Sequence, residues 1–178
     1  MVENDILRVS ISEEEINKMV EKVANQINED YKDKCPLIIC ILKGAVPFMT
    51  DLLKKINIYC TLDYMRVKSY DGTVSTGDVK IFGVMPKVAG KDVIIVEDIL
   101  DTGKTLVEIK NLFIDMNAKS IKTCVLLDKP EGRIYDITAD YVGGNVPNEF
   151  VVGYGLDYNE KYRNLPYIGV LKEEVYKK

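Results

Sequence analysis

The run VIIVEDILDTGKTL, residues 93–106, constrains the fold more than any other part of the chain. It opens on a short β-branched apolar stretch of the kind buried on both faces of a sheet, delivers two acids, and breaks into a polar turn. Beyond the turn, Leu106, Ile109, Phe113 and Ile114 recur at helical spacing, and residues 121–127 return to a strand-like apolar run. This alternation of strand, helix and strand favours an α/β fold built on an open parallel-type sheet flanked by helices.

The flanking sequence extends the pattern. Ser12 and Glu15 have the spacing of a capping box, and Ile16, Met19, Val20, Val23, Ala24 and Ile27 follow at helical intervals, which predicts an amphipathic helix over residues 13–30. Residues 37–42 read as a second buried strand ending at Lys43-Gly44, before another helical pattern. Residues 58–67 are strand-like, residues 69–78 (SYDGTVSTGD) read as a polar loop, and residues 79–84 resume a strand. Short strands are expected around residues 149–152 and 167–171. With no repeat or linker to divide it, the chain is expected to form one domain, residues 1–178.

Composition narrows the function. Lys and Arg number 24 against 28 acids, a formal charge of −4, so no broad attraction to nucleic acid is expected. Cys35, Cys40, Cys60 and Cys124 show no CxxC spacing, which supports neither disulfides nor zinc and fits a reducing compartment. The N-terminus MVENDILRVS has no apolar signal core, and no run reaches the roughly 18 apolar residues of a membrane span, so a cytoplasmic protein without membrane contact is expected. Histidine is absent, so acid-base chemistry must use carboxylate, lysine, tyrosine or cysteine.

Ligands of open α/β sheets bind beyond the carboxyl ends of the strands, where the N–H groups opening the next helix suit a phosphate. Gly103 would let the backbone approach an anion, Thr102 and Thr105 add hydroxyl donors, and Lys104 adds charge, so residues 102–105 read as a phosphate cradle. A nucleotide triphosphate P-loop is excluded, because its first glycine would have to stand at Asp98. Glu97 and Asp98 would repel a phosphate unless they serve hydroxyls or a cation. An acidic pair alone is more often a solvated strand end; the turn that follows favours the ligand reading.

The run EDILDTGKT resembles the phosphoribosyl pyrophosphate motif of the type I phosphoribosyltransferases, in the form carried by their hypoxanthine-guanine branch. Leu42-Lys43-Gly44, Ser69-Tyr70, Lys129 and FVVGYGLDYNEKYRNLPYIGVL, residues 150–171, resemble that branch in order and spacing, so the resemblance covers nearly the whole chain. It implies the type I core with a small base-binding hood from the chain ends, purine salvage from phosphoribosyl pyrophosphate and a 6-oxopurine base, a magnesium ion as cofactor, and a homodimer or homotetramer.

The resemblance also implies residue roles. Glu97 and Asp98 would hold the ribose hydroxyls and magnesium, residues 102–105 the 5′-phosphate, and Asp101 would stand beside N7 of the base as general base in nucleotide formation. Lys43, Gly44 and Arg163 would meet pyrophosphate, often with a cis peptide before Lys43. Lys129 would donate to the 6-oxo group, Phe150 would stack on the purine, and the backbone of Val151 would read its edge. Asp157 would lie near the 2-position and reach a second magnesium ion, Tyr154 and Tyr158 would support packing, and Ser69 and Tyr70 would begin a lid that excludes water. One departure is Gly143-Gly144-Asn145-Val146-Pro147, where the family more commonly carries an aromatic and an acid after the first glycine; this bears on the packing of the hood. Two alternatives stay open: a regulatory nucleotide sensor on the same fold, and transfer to a pyrimidine or adenine.

Overall fold

In the computed structural model, residues 2–68 and 80–177 are described. The elements in chain order are β1 (Ile6–Ile11), α1 (Glu13–Asp30), β2 (Leu37–Leu42), α2 (Val46–Lys55), β3 (Thr61–Lys68), β4 (Lys80–Phe82), β5 (Asp92–Leu100), α3 (Lys104–Asp115), β6 (Ser120–Asp128), β7 (Tyr141–Asn145), β8 (Val151–Val152), β9 (Ile168–Leu171) and α4 (Glu173–Tyr176). The main sheet has the order β4-β3-β2-β5-β6-β7. All its pairings are parallel except β3 with β4, so an antiparallel edge strand closes an otherwise parallel sheet.

The apolar runs at residues 37–42 and 93–96 are strands covered on both faces. Ile38, Cys40, Ile94, Val96, Cys124 and Leu126 face the layer formed by α1 and α2. The alternate residues Leu37, Ile39, Ile41, Val93, Ile95 and Val125 face Leu106, Ile109 and Phe113 of α3. A period of two on each strand thus feeds two cores, which is why these strands contain almost no polar residue. No helix among the described residues is long and apolar enough to cross a membrane.

Helix α1 occupies the span its sequence predicts. The Ser12 hydroxyl accepts from the Glu15 N–H at 3.3 Å, and Glu15 Oε2 accepts from the Ser12 N–H at 2.8 Å. This reciprocal cap satisfies two donors of the open first turn and starts the helix at Glu13. Ile16, Val20, Val23, Ala24 and Ile27 are buried along one stripe.

Three features differ from the sequence reading. The strand expected from residue 58 starts at Thr61, because Ile58 and Cys60 pack against the first core before the ladder begins. β1 was not expected: its Leu7 and Val9 are exposed, and it exists by pairing with β9 from the far end of the chain. β7 was not expected either, since its two glycines are poor strand formers. Both stand where neighbours leave no room for a side chain: a Cβ at Gly143 would fall 2.5 Å from the Leu126 carbonyl oxygen of β6, and one at Gly144 2.6 Å from Met19 Cε of α1. The Gly143-Gly144 departure therefore bears on the edge of the main sheet and its contact with α1, not on the hood.

The hood is a three-stranded antiparallel sheet of order β1-β9-β8, joining both chain ends. Its own small core contains Val152, Tyr162, Leu165 and Leu171. Removing the α1 cap with Ser12→Ala is expected to lower unfolding free energy by about 1 kcal/mol, measured by urea denaturation; an unchanged midpoint would show that the cap does not contribute.

Candidate active site

Strand β5 sends Glu97 and Asp98 to the carboxyl edge of the main sheet, and Asp101 follows directly. Gly103 then turns the chain with φ +88 and forms the N-terminal boundary of α3, without any side-chain cap. This is a left-handed conformation that suits glycine, and space is equally limiting, since an added Cβ would fall 2.6 Å from Ile137 Cγ2. The first-turn N–H groups of α3 face the same edge with no earlier helical carbonyl to bond. A cavity of about 190 Å³ lies here, walled by Glu97, Asp98, Asp101, Thr102, Gly103 and Thr105. Lys104 is half-buried and outside that wall.

A second cavity of about 280 Å³ shares Asp98 and Asp101 with the first and extends beneath the hood to Lys129, Phe150, Val151 and Asp157. The two are lobes of one groove. Lys129 directly follows β6, with its Nζ 3.7 Å from Asp101 Oδ2, and its side chain is only 15% exposed. Asp101 also abuts the next turn, since a Cβ at Gly132 would fall 1.8 Å from its Oδ1. Phe150 lines the groove while stacking on Tyr176 of α4, ring centroids 4.7 Å apart, and meeting Tyr158 edge-on at 5.5 Å.

The acids have unusual environments. Burial, reinforced by the neighbouring Asp98 charge, pushes Glu97 well above the usual carboxylate range. Burial also raises Asp98 to about 6, against the opposing effect of the Ile99 N–H that donates to its Oδ1 at 2.8 Å. Both carboxyls are held where charge is penalised, so a cation or donating hydroxyls would stabilise their ionised forms.

The turn after β2 reaches the same place. The Leu42–Lys43 peptide is cis. Gly44 packs so closely on β5 that an added Cβ would fall 1.7 Å from Asp98 Oδ2. Lys43 Nζ donates to Glu160 Oε2 at 2.8 Å. Arg163 donates to the Gly155 carbonyl at 2.7 Å, pairs with Asp157 Oδ1 at 2.8 Å, and reaches Glu160 Oε2 at 3.3 Å.

The residues singled out from sequence thus converge on one edge, with Lys43, Gly44, Lys104 and Arg163 beside the cavity walls and not on them; Ser69 and Tyr70 lie outside the described residues. Tyr154 is a packing residue, its hydroxyl donating to Asp51 at 2.7 Å. Sequence reasoning missed Glu149 and Leu156 on the groove wall and Tyr176 behind Phe150. It also missed Arg133, whose guanidinium donates to Asp128 and, at 3.3 Å, to the Leu100 carbonyl, tying the ends of β6 and β5 together. The Asp128–Arg133 spacing was the available signal, but only the adjacency of the two strands gives it meaning.

A family model described as a phosphoribosyl transferase domain matches residues 11–159, which sets the class of this fold and site. The hypoxanthine-guanine phosphoribosyltransferase of Streptococcus thermophilus is 53% identical over 180 residues and that of Streptococcus pyogenes 52%, each alignment covering 100% of both chains. A solved hypoxanthine phosphoribosyltransferase from Staphylococcus aureus superposes with a TM-score of 0.93 at 47% identity, covering 98% of this chain and 96% of that one. The chain belongs to the hypoxanthine-guanine phosphoribosyltransferase family.

Gly155 joins these parts, with φ +98 and a would-be Cβ 1.9 Å from the Gly44 carbonyl oxygen. Gly155→Ala is expected to destabilise the fold by about 1–3 kcal/mol through overpacking and backbone strain. Urea denaturation measures this, and an unchanged midpoint would show that the contact between the two loops is dispensable.

Proposed function

We propose that the chain is a purine-salvage enzyme that transfers the 5-phosphoribosyl group from phosphoribosyl pyrophosphate to N9 of hypoxanthine, guanine or both, forming IMP or GMP and releasing pyrophosphate. The observation that carries this reading is the single groove that joins the turn of residues 102–105 to Lys129 and Phe150 through Asp98 and Asp101.

The N–H groups and hydroxyls of residues 102–105 suit the 5′-phosphate, with Lys104 adding charge at the helix start. Glu97 and Asp98 suit the ribose hydroxyls. Lys129 presents only donors, and a 6-oxo group accepts them, whereas a 6-amino group would present donors of its own. This disfavours adenine. Phe150 offers an apolar face, with the Val151 backbone beside it as a polar reader and Asp157 near the purine 2-position. Lys43, Gly44 and Arg163 suit pyrophosphate. Ser69 and Tyr70 would begin the lid.

Asp101 accepts the N7 proton as N9 bonds to the ribose carbon. Lys129, 3.7 Å away, helps to orient its carboxylate. The half-exposed Asp101 carboxylate, open to the groove, favours chemistry over passive nucleotide sensing.

Magnesium fits the donor set. Glu97, Asp98 and Asp157 would offer hard oxygen ligands to an ion that takes its others from substrate oxygens and water. When bound, the ion supplies positive charge to the departing pyrophosphate.

The reading includes one phosphoribosyltransferase domain over residues 1–178 and a cytoplasmic location, supported by four unpaired cysteines. It also includes a homodimer or homotetramer, supported by the exposed Leu62, Tyr64 and Phe82 at the β3–β4 edge. Sedimentation of only a 20.2 kDa species would contradict the oligomer.

With phosphoribosyl pyrophosphate and magnesium, nucleotide is expected from hypoxanthine or guanine and not from adenine; no product from any 6-oxopurine overturns the assignment. Asp101→Asn is expected to slow the single-turnover chemical step by about 10²–10⁴, while phosphoribosyl pyrophosphate affinity changes little. A wild-type rate would remove Asp101 as the base.

A further inference from the structure

The same oxygen of Glu160, Oε2, accepts from Lys43 Nζ at 2.8 Å and from Arg163 Nη2 at 3.3 Å. These two cations come from distant parts of the chain, the turn after β2 and the loop before β9. Both are the residues assigned above to pyrophosphate, and no reading of the sequence gave Glu160 a role. Its side chain is 63% exposed, so it packs no core, and its placement answers to the two cations.

The backbone around Glu160 is built to present it. Asn159 and Glu160 have φ of +51 and +62, consecutive left-handed conformations that residues with side chains adopt at some cost. The turn is locked by reciprocal backbone bonds between Tyr158 and Lys161 and by the Glu160 N–H donating to Asp157 Oδ2 at 2.8 Å. A surface glutamate with no role would not require two strained residues and a carboxylate acceptor to aim it.

We propose that Glu160 is a placeholder in the pyrophosphate subsite, competing with pyrophosphate for Lys43 and Arg163. Its carboxylate holds Lys43 and Arg163 beside one another while the subsite is empty, and it gives them up when pyrophosphate arrives. A carboxylate left between the cations would repel the incoming anion, so binding requires the exchange. On product release the exchange runs backwards, and Glu160 recaptures the two cations as pyrophosphate leaves. The inference rests on the assignment of Lys43 and Arg163 to pyrophosphate.

Loss of a supporting contact weakens binding, whereas loss of a competitor strengthens it, so the sign of the effect separates the two roles. The test is calorimetric titration of the full chain with inorganic pyrophosphate in the presence of magnesium. The isosteric Glu160→Gln is expected to bind pyrophosphate about three- to tenfold more tightly than wild type, the scale of two exposed ion pairs lost as competitors. Glu160→Asn, short, neutral and suited to the left-handed backbone, should show the same gain. GMP, which carries no pyrophosphate, should bind both variants as it binds wild type. Arg163→Ala should bind pyrophosphate more weakly. Unchanged or weaker pyrophosphate binding in both Glu160 variants, with Arg163→Ala weakened, overturns the exchange and leaves the subsite standing. Unchanged binding in Arg163→Ala overturns the subsite assignment and the exchange with it.

Discussion

The site depends on a contact in which side chains have no room. Gly44 lies against the Asp98 carboxylate, and Gly155 lies against the Gly44 carbonyl, at separations that exclude a methyl group on either. Three segments from different parts of the sequence therefore meet, the loop after β8 against the backbone of the turn after β2, and that turn against the Asp98 carboxylate at the end of β5. That closeness brings Lys43 and Arg163 within reach of one Glu160 oxygen and sets Arg163 beside Asp157. Gly44 covers one side of the Asp98 carboxylate, whose partial burial raises it to about 6.

A second constraint fixes the other half of the groove. Asp101 and Lys129 each sit one residue beyond a strand end, and those ends are held together by the Arg133 guanidinium at Asp128 and the Leu100 carbonyl, with the Lys129 N–H donating to Leu100 at 3.0 Å. N7 and O6 of a purine project from adjacent ring carbons. Groups that serve both must be near neighbours, and the 3.7 Å separation of Lys129 and Asp101 meets that need. The main sheet supplies rigidity, and the hood supplies Phe150 and Val151 from the other side, so the base would be held between a fixed edge and a small separate core.

What the sequence made legible was local. Residues 93–106 encode a strand, a glycine turn and a helix start in one continuous run, so the fold class and the turn could both be read from it. The α1 boundaries were equally readable because the Ser12–Glu15 cap spans four residues. Features made by distant pairing were not legible. β1 alternates at Leu7, Val9 and Ile11, but Leu7 and Val9 are exposed and its partner β9 lies at the far end of the chain, and β7 contains two glycines whose place is set by the close approach of Leu126 and Met19. Within the site, Arg133, Glu149, Glu160 and Tyr176 looked like ordinary surface residues, since their partners lie on other elements. The expected lid at Ser69 and Tyr70 falls outside the described residues.

The central claim is that one groove holds nucleotide and pyrophosphate in a single fixed order along the carboxyl edge of the sheet. A crystal structure of the chain with GMP, magnesium and pyrophosphate tests it most directly. The account predicts the 5′-phosphate on the backbone of residues 102–105, the purine against Phe150 with O6 at Lys129 Nζ and N7 facing Asp101, and pyrophosphate between Lys43 and Arg163. A purine bound away from Phe150 and Lys129, or a 5′-phosphate away from residues 102–105, would contradict it.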